Sequence, residues 1–328
     1  MSGMEVRPDI AELMSACVEC GRCTEICTSR AHGGCDPLEV MRGNLERAKG
    51  CIGCGLCNTV CGFTMPKKVM MYAACRVNGM SPPQVFRDTG YNLPASDMEV
   101  PAPHYRKGAD AQLMPGCMVV SSAPYLEYAT ERVLSFIGVP TERYEGGCCI
   151  YPIPFRGMTD EERNDLKRKA AEPLKGRKLY TICSGCADEM VLAGIDAEHI
   201  LYRIHSELDR IRSLPGVKLK VAVQTGCGMR DRADMFRDIV EACGCEVFEA
   251  EQGCCGKLVP RISKELMAER QESMKGADAV VVGCPSCFAR YDQCPDGLPV
   301  LYLSELILLA MGDGSTNALH RRPVEISR

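Results

Sequence analysis

Two sets of five cysteines, arranged in the same order, place the strongest constraint on how this chain can fold. Each set contains a lone cysteine, an adjacent pair and a C-x-x-C motif. The first set is Cys117, Cys148, Cys149, Cys183 and Cys186, and the second is Cys227, Cys254, Cys255, Cys284 and Cys287. One tetrahedral zinc ion needs only four ligands. Five thiolates per set therefore indicate a cluster with more than one metal atom, and the repetition predicts two similar domains.

Another cysteine pattern, C-x-x-C-x-x-C-x-x-x-C, occurs twice near the start of the chain. It is typical of proteins with two cubane [4Fe–4S] clusters, in which three close cysteines bind one cube and the fourth binds the other. The predicted ligands are Cys17, Cys20, Cys23 and Cys61 for one cluster, and Cys51, Cys54, Cys57 and Cys27 for the other. The proline that usually follows the fourth cysteine is replaced by Thr28 and Gly62. Cys35 and Cys75 lie outside the pattern and are predicted to be small buried hydrophobic residues.

Composition disfavours simpler explanations of so many cysteines. Disulfide scaffolds are typical of small secreted proteins, whereas this chain has 328 residues, an odd count of 23 cysteines and no signal segment at its start. Eight thiolates in the tight N-terminal spacing also favour iron–sulfur clusters over zinc. The net charge of −4 argues against nucleic-acid binding. We expect no integral membrane segment, because no apolar run approaches the roughly 18 residues that a span needs. The expected location is the cytoplasm.

Strand-like and helix-like segments alternate in the second half of the chain, which predicts parallel sheets. The predicted fold is α/β, with an N-terminal helical two-cluster ferredoxin module (1–75), a Pro-rich linker (76–108) and two pseudo-repeated α/β domains (109–215 and 216–328). A helix over 37–50 is expected between the two cluster motifs. His199 and His205 fall in a helical stretch and are expected to be structural or solvated. Because the carboxyl ends of parallel strands meet at one edge, the five cysteines of each set should converge there, with the adjacent pairs in loops.

At these residues the sequence resembles the CCG-domain iron–sulfur family, which includes the catalytic subunit of heterodisulfide reductase from methanogens. The front resembles the C-type helical ferredoxin subunit of that enzyme, fused here to the two repeats of a B-type or D-type subunit. The resemblance implies that each five-cysteine set binds a noncubane [4Fe–4S] cluster, with all ten cysteines at the catalytic site. Ile150 departs from the family motif, which has glycine there, and the second set is more compact than the family pattern.

The resemblance also implies a function in methanogenesis. The two cubane clusters would receive electrons, and the paired noncubane clusters would reduce a disulfide of the coenzyme M–coenzyme B type. The expected electron donor is an A-type flavin and iron–sulfur subunit, or a hydrogenase or dehydrogenase module, so this chain is expected to be the catalytic subunit of a complex in an anaerobe, cytoplasmic or associated with a membrane partner. Arg156, Lys257 and Arg261 are candidates for holding an anionic substrate. No GxGxxG or P-loop motif is present, so no flavin or nucleotide is expected on this chain.

Two other functions remain open at this point. The chain could be a non-catalytic electron-transfer subunit for a flavin dehydrogenase, or an iron–sulfur component of an enzyme activation complex. The complete second set of cysteines favours catalysis, whereas Ile150 and the compact spacing favour the alternatives.

Overall fold

The computed structural model describes residues 6–149 and 158–326, and its chain forms two compact units. The first unit takes in the chain up to Pro82 together with Gly256–Leu266, and the second unit contains most of the remainder. Among the described residues, every helix is too short or too polar to cross a lipid bilayer.

Short helices build the first unit, because the cysteine motifs, prolines and glycines interrupt the chain repeatedly. They are α1 (Pro8–Ser15), α2 (Arg22–Glu25), α3 (Thr28–Ala31), α4 (Pro37–Met41), α5 (Leu56–Thr59) and α6 (Pro66–Val77), with a 3₁₀ turn at Leu45–Ala48. Ile10, Val40 and Val69 are fully buried in their common core. The N-terminus of α4 is capped by Asp36, which accepts hydrogen bonds from the Glu39 amide and from the Thr24 hydroxyl.

The single helix predicted over 37–50 is wrong. Helix α4 stops at Met41 and the 3₁₀ turn starts at Leu45. The break follows from Gly43, whose φ of +100° is outside the helical region. The hydrophobic period of the segment did not reveal this break, because α4 and the 3₁₀ turn both direct apolar residues towards the core. These residues are Leu38, Met41, Leu45 and Ala48.

The segment predicted as a Pro-rich linker contains a short helix, α7 (Gln84–Thr89), which sequence periodicity did not indicate. Beyond α7 the chain runs along the second unit. Backbone amides of Ser96 and Arg106 donate to the carbonyls of Val120 and Thr141, at 3.0 and 2.9 Å. The Tyr105 hydroxyl also donates to Glu127 at 2.7 Å. These contacts hold the segment in place without regular secondary structure.

The first half of the second unit alternates strands and helices as predicted. Its elements are β1 (Ala111–Met114), α8 (Cys117–Ser122), α9 (Tyr125–Phe136), β2 (Thr141–Arg143), α10 (Asp160–Ala171), β3 (Lys178–Thr181), α11 (Ser184–Leu192), β4 (Ala197–His199), α12 (Ile200–His205) and α13 (Leu208–Arg212). One difference is that His199 ends β4 and caps α12, accepting from the Leu201 amide through Nδ1, instead of lying within a helix.

The second half repeats this order. Its elements are β5 (Lys220–Gln224), a 3₁₀ segment (Cys227–Arg232), α14 (Ala233–Ala242), β6 (Glu246–Phe248), α15 (Pro260–Ser273), β7 (Ala279–Val282), α16 (Pro285–Asp292), β8 (Val300–Tyr302) and α17 (Leu303–Ala310). β-branched Val280, Val281 and Val282 are fully buried in the central strand β7, as expected for a parallel sheet covered on both faces.

Both sheets have four parallel strands in the same spatial order. The first is β2-β1-β3-β4 and the second is β6-β5-β7-β8. The central pairs are in matching register, with Met114 opposite Thr181 and Gln224 opposite Val282. The predicted α/β fold with two pseudo-repeated domains and parallel sheets is therefore confirmed.

One hydrophobic core runs through both halves of the second unit. At its centre, Thr130 on α9 and Ser304 on α17 share a buried hydrogen bond of 2.9 Å. The Tyr302 hydroxyl donates to the carbonyl of Ile182, which follows β3, and lies 3.2 Å from the carbonyl of Gly283, which follows β7. One side chain thus bonds to the carboxyl ends of β3 in the first sheet and β7 in the second. The two sheets therefore present their carboxyl edges to each other.

Candidate metal centre

The ten predicted cysteines lie where the chain leaves the carboxyl ends of the strands. In each half the lone cysteine follows the first central strand, the pair follows an edge strand, and the C-x-x-C follows the second central strand. From the two central strands the chain crosses in opposite directions, to β2 and to β4 in the first half. Such a switch point opens a crevice at the edge of a parallel sheet, which is where α/β proteins bind ligands.

The thiols of the first set contact one another. Cys117 Sγ and Cys148 Sγ are 3.0 Å apart. Cys186 forms hydrogen bonds with both Cys149 and Cys183. The adjacent pair lies in a loop, so its two members can reach different partners within the same set.

The second set repeats these contacts member for member. Cys227 Sγ and Cys254 Sγ are 3.3 Å apart, and Cys255 Sγ and Cys287 Sγ are 3.5 Å apart. Cys284 forms a hydrogen bond with Cys287. In both sets the lone cysteine and the first cysteine of C-x-x-C are partly exposed, whereas the other three are buried. The sequence repeat therefore corresponds to a repeated site geometry.

The two sets also meet. Cys183 of the first set and Cys284 of the second lie close enough for each thiol to shift the pKa of the other. Each is the residue that precedes a helix, α11 or α16, in extended conformation. The positive end of a helix favours a thiolate. Contact with Cys186 lowers the pKa of Cys183, but the Cys284 thiol and burial outweigh it and raise that pKa to about 12. The thiolate is therefore favoured at Cys284, whose pKa lies well below its ordinary value.

A glycine before each lone cysteine makes this arrangement possible. Gly116 and Gly226 have φ of +81° and +86°, with extended ψ, a combination that is essentially restricted to glycine. A Cβ on Gly116 would lie 3.1 Å from Cys186 Sγ, and one on Gly226 would lie 2.9 Å from Cys284 Cβ. The C-x-x-C of each set can approach its lone cysteine because these glycines have no side chain.

Different residues hold the two pair-containing loops. In the second half, Gln224 on β5 donates to the Glu251 carbonyl at 2.7 Å, and buried Arg270 donates to the same carbonyl at 2.8 Å. In the first half the support comes from the segment before β1. The carbonyl of Gly90 accepts from the Cys148 amide at 2.9 Å, and Asn92 Nδ2 donates to Cys148 Sγ at 2.8 Å.

Asn92 and Arg230 are polar neighbours of the cysteines that sequence reasoning missed. The Asn92 backbone amide also donates to Cys117 Sγ, at 3.3 Å, and Arg230 Nη2 lies 3.8 Å from Cys227 Sγ. N–H groups that donate to sulfur raise the reduction potential of sulfur-ligated centres. Arg230 could have been suspected from its place three residues after Cys227, whereas nothing in the sequence around Asn92 marks it.

Thiol–thiol contacts shift the pKa values strongly. Hydrogen bonds to neighbouring thiols, with burial as a further cause, raise the pKa of Cys186, Cys254 and Cys287 well above its ordinary value. Hydrogen bonds from Cys183 and Cys287 instead hold the pKa of Cys284 well below that value. Most of these thiols are thus protonated until a metal centre binds, and metal loading should release protons.

Four-cysteine groups also gather in the first unit. Cys17, Cys20, Cys23 and Cys61 line one cavity, whose empty space of ≈ 340 Å³ is partly open to solvent. Cys27, Cys51, Cys54 and Cys57 line a second cavity of similar size. Burial and the Cys54 thiol raise the pKa of Cys57 to about 12. The grouping is the one expected if the fourth cysteine of each motif serves the other cluster.

The remaining predicted residues have various surroundings. Arg261 pairs with Glu265 at 3.1 Å and donates to the His32 carbonyl at 2.7 Å, Lys257 is partly exposed, and Arg156 and Ile150 lie outside the described residues. His205 pairs with Asp238 on α14 at 2.7 Å. Cys35 and Cys75 are both buried as predicted. Cys35 also lines the second cavity, among cluster-motif cysteines.

The donor chemistry of the grouped cysteines suits iron–sulfur clusters. Each site offers four or five thiols, the soft ligands that such clusters require. Within 6–149 and 158–326, no three His, Cys, Asp or Glu side chains are placed to hold one metal ion. The 23 cysteines are consistent with iron–sulfur clusters.

Comparison with known proteins identifies the repeated part of the chain. Residues 111–190 and 221–291 match the family model of the cysteine-rich domain, CCG. Among solved structures, a glutamate racemase isoform from Bacillus anthracis is 13% identical, with 63% of this chain and 81% of that chain covered and a TM-score of 0.31. An aspartate racemase homologue from Pyrococcus horikoshii is 12% identical, with 61% and 98% covered and a TM-score of 0.27. Likenesses this weak carry no argument about function. One matched stretch lies in each α/β half, so each half is similar to the cysteine-rich CCG domain.

Proposed function

We propose that this chain is an iron–sulfur oxidoreductase subunit that reduces a disulfide at its two adjoining five-cysteine sites. The observation that carries the proposal is the closeness of the two sites: the Cys183 and Cys284 thiols shift each other's pKa, and a Cβ on Gly228, next to Cys227, would lie 2.6 Å from Ser184 Oγ, next to Cys183. Reduction of a disulfide consumes two electrons and two protons and releases two thiols. Two adjoining one-electron centres can deliver both electrons to the two sulfur atoms of one substrate.

Two cubane and two noncubane [4Fe–4S] clusters are the proposed cofactors, and they supply single electrons when bound. The ten cysteines of the two sets would hold the noncubane clusters. The eight cysteines of the N-terminal motifs would hold the cubanes, in the groups that line the two cavities. Each protein sulfur would lose its proton on binding, which the lowered pKa of Cys284 at a helix end favours at that position.

The proposed substrate is an anionic heterodisulfide of the coenzyme M–coenzyme B type. The Arg230 guanidinium lies beside a predicted ligand, with Nη2 3.8 Å from Cys227 Sγ. A guanidinium there can attract a sulfonate or phosphate group. This assignment adds Arg230 to Lys257, Arg261 and Arg156 as candidates for substrate binding.

Electrons are proposed to enter through the first cavity of the N-terminal unit. Cys20 in its lining is exposed, and Val18 and Phe63 beside it are 55% and 62% exposed. Exposed apolar residues around a redox site are typical of docking surfaces for a partner protein. The partner proposed is a flavin-containing or hydrogenase-type electron donor.

Anaerobic purification followed by metal analysis tests the cofactor assignment. About sixteen irons per chain are expected for four clusters. The oxidised protein should then develop a paramagnetic signal on incubation with coenzyme M or coenzyme B, and should reduce their heterodisulfide with a viologen as donor. Cys284→Ala should abolish this reduction, whereas Cys294→Ala, at a partly exposed cysteine outside both sets, should not.

Zinc in place of iron would refute the assignment. A full complement of iron without any thiol-dependent signal or disulfide reduction would refute catalysis, and would leave electron transfer to another protein as the function of the same clusters.

A further inference from the structure

The second cavity of the N-terminal unit holds one more cysteine than the cubane motif supplies. Its lining includes Cys27, Cys51, Cys54 and Cys57, and also Cys35, which is 3% exposed. The lining of the first cavity includes four cysteines. A cubane has four irons, and each takes one protein sulfur. One thiol in the second cavity is therefore surplus.

Contacts among these thiols indicate which two are in competition. Cys35 Sγ lies 3.6 Å from Cys27 Sγ, and Cys51 lines the same cavity, close enough to raise the pKa of Cys35. Cys51 is one of three closely spaced cysteines in a single short segment, the arrangement that grips three irons of a cube. Cys27 and Cys35 come from elsewhere, so they compete for the fourth iron.

Close backbone packing fixes Cys35 at this position. The chain at Gly34 and Gly50 approaches so closely that a Cβ on Gly50 would lie 2.5 Å from the Gly34 carbonyl oxygen. The Gly34 amide donates to the Ser29 carbonyl at 2.7 Å, and the Asp36 amide donates to the Arg47 carbonyl at 3.0 Å. Hydrogen bonds on both sides of Cys35 thus hold it beside Cys27 and Cys51.

We infer that Cys35 is an alternative fourth ligand of the second cubane site, able to take the place of Cys27. The inference rests on the proposed function, which places a cluster in this cavity. In the exchange, one iron–sulfur bond to Cys27 breaks and one to Cys35 forms. The proton of the Cys35 thiol passes to Cys27 across the 3.6 Å contact, and no electron is transferred. A side-chain rotation covers such a distance without movement of the backbone.

Four variants of the full-length chain test this inference, with iron and acid-labile sulfide counted after anaerobic purification. Cys27→Ala is expected to retain the iron content of the unsubstituted protein. Cys27→Ala/Cys35→Ala should lose about four irons, one cube. The matched control is Cys27→Ala/Cys75→Ala, which removes a cysteine that is 1% exposed on α6 and is not in the cavity lining; it should retain iron as Cys27→Ala does. Cys61→Ala, in the first cavity, should lose one cube on its own.

Electron paramagnetic resonance of the reduced proteins gives a second readout. Cys27→Ala should keep the signal of the second cubane with a shifted reduction potential, and the double variant should lose that signal. Loss of about four irons from Cys27→Ala alone, or full retention by Cys27→Ala/Cys35→Ala, would overturn the inference. Far-UV circular dichroism identifies variants that do not fold. If an alanine variant fails to fold, Cys27→Ser and Cys27→Ser/Cys35→Ser replace Cys27→Ala and Cys27→Ala/Cys35→Ala in the comparison. Too little iron in the unsubstituted protein would instead refute the proposed function.

Discussion

Substitution of Asn92 by leucine should lower the reduction potential of the first five-cysteine site. Asn92 comes from the segment before β1 and makes two hydrogen bonds to sulfur: Nδ2 donates to Cys148 Sγ at 2.8 Å, and the backbone amide donates to Cys117 Sγ at 3.3 Å. Leucine has a similar volume and removes the side-chain donor alone. The backbone bond, and with it the path of the chain, should persist.

The size of the effect follows from the strength of one charge-assisted hydrogen bond. Such bonds contribute about 1.5–3 kcal/mol. Part of this is present in both oxidation states, so about 1 kcal/mol of difference between the states is a reasonable share. For a one-electron couple, about 59 mV corresponds to a tenfold change in equilibrium constant, so the expected shift is about 40 mV. The sign is negative, because a donor stabilises the more negatively charged, reduced state.

Redox titration monitored by electron paramagnetic resonance measures this shift. The second five-cysteine site serves as an internal reference, because Asn92 donates to Cys117 and Cys148 of the first set. Gln84→Leu is the matched control. Gln84 is an exposed residue on α7, in the same segment, and its side chain donates to Asp88. An unchanged potential for Asn92→Leu, or a shift to more positive values, would show that the amide does not tune the site.

Three further predictions concern the region beneath the two sites. Burial lowers the pKa of His199 from 6.5 to about 4, so on acidification the unfolded state takes up the proton before the folded state does. The free energy of unfolding should therefore fall by up to about 3 kcal/mol as the pH drops from 6.5 to 4. Urea unfolding of His199→Leu at several pH values should show a weaker dependence of this free energy on pH. Tyr302→Phe removes the hydroxyl bonded to the Ile182 carbonyl and should cost about 1–3 kcal/mol in the same assay. Gly226→Ala should cost about 1–3 kcal/mol and reduce iron binding, whereas Gly312→Ala, also at positive φ but with nothing within 4 Å of its Cβ, should leave the iron count unchanged. Equal iron loss in both glycine variants would point to backbone strain and not to crowding against Cys284.

Features that depend on neighbours along the chain could be predicted from the sequence, whereas features that depend on packing between distant segments could not. In the second half, the two central strands β5 and β7 are short runs with several β-branched residues, and each ends just before a cysteine motif, as in Ala279–Val282 followed by Cys284. That pattern depends on neighbours along the chain, so the parallel α/β fold could be predicted. The break at Gly43 could not be predicted, because a short hydrophobic period fits either one helix or two shorter pieces. The helix at Gln84–Thr89 could not be predicted either, because neighbouring prolines do not exclude a short helix.

The sequence by itself determined which cysteines belong together within each set, since their spacing repeats and a parallel sheet brings the ends of its strands to one edge. Only the tertiary structure decided that Cys183 meets Cys284, that Asn92 reaches Cys148, and that Cys35 lies beside Cys27. These contacts depend on how separate segments pack. Packing of that kind is set by the shapes of whole faces and by close approaches such as Gly34 to Gly50, and it leaves no period in the sequence.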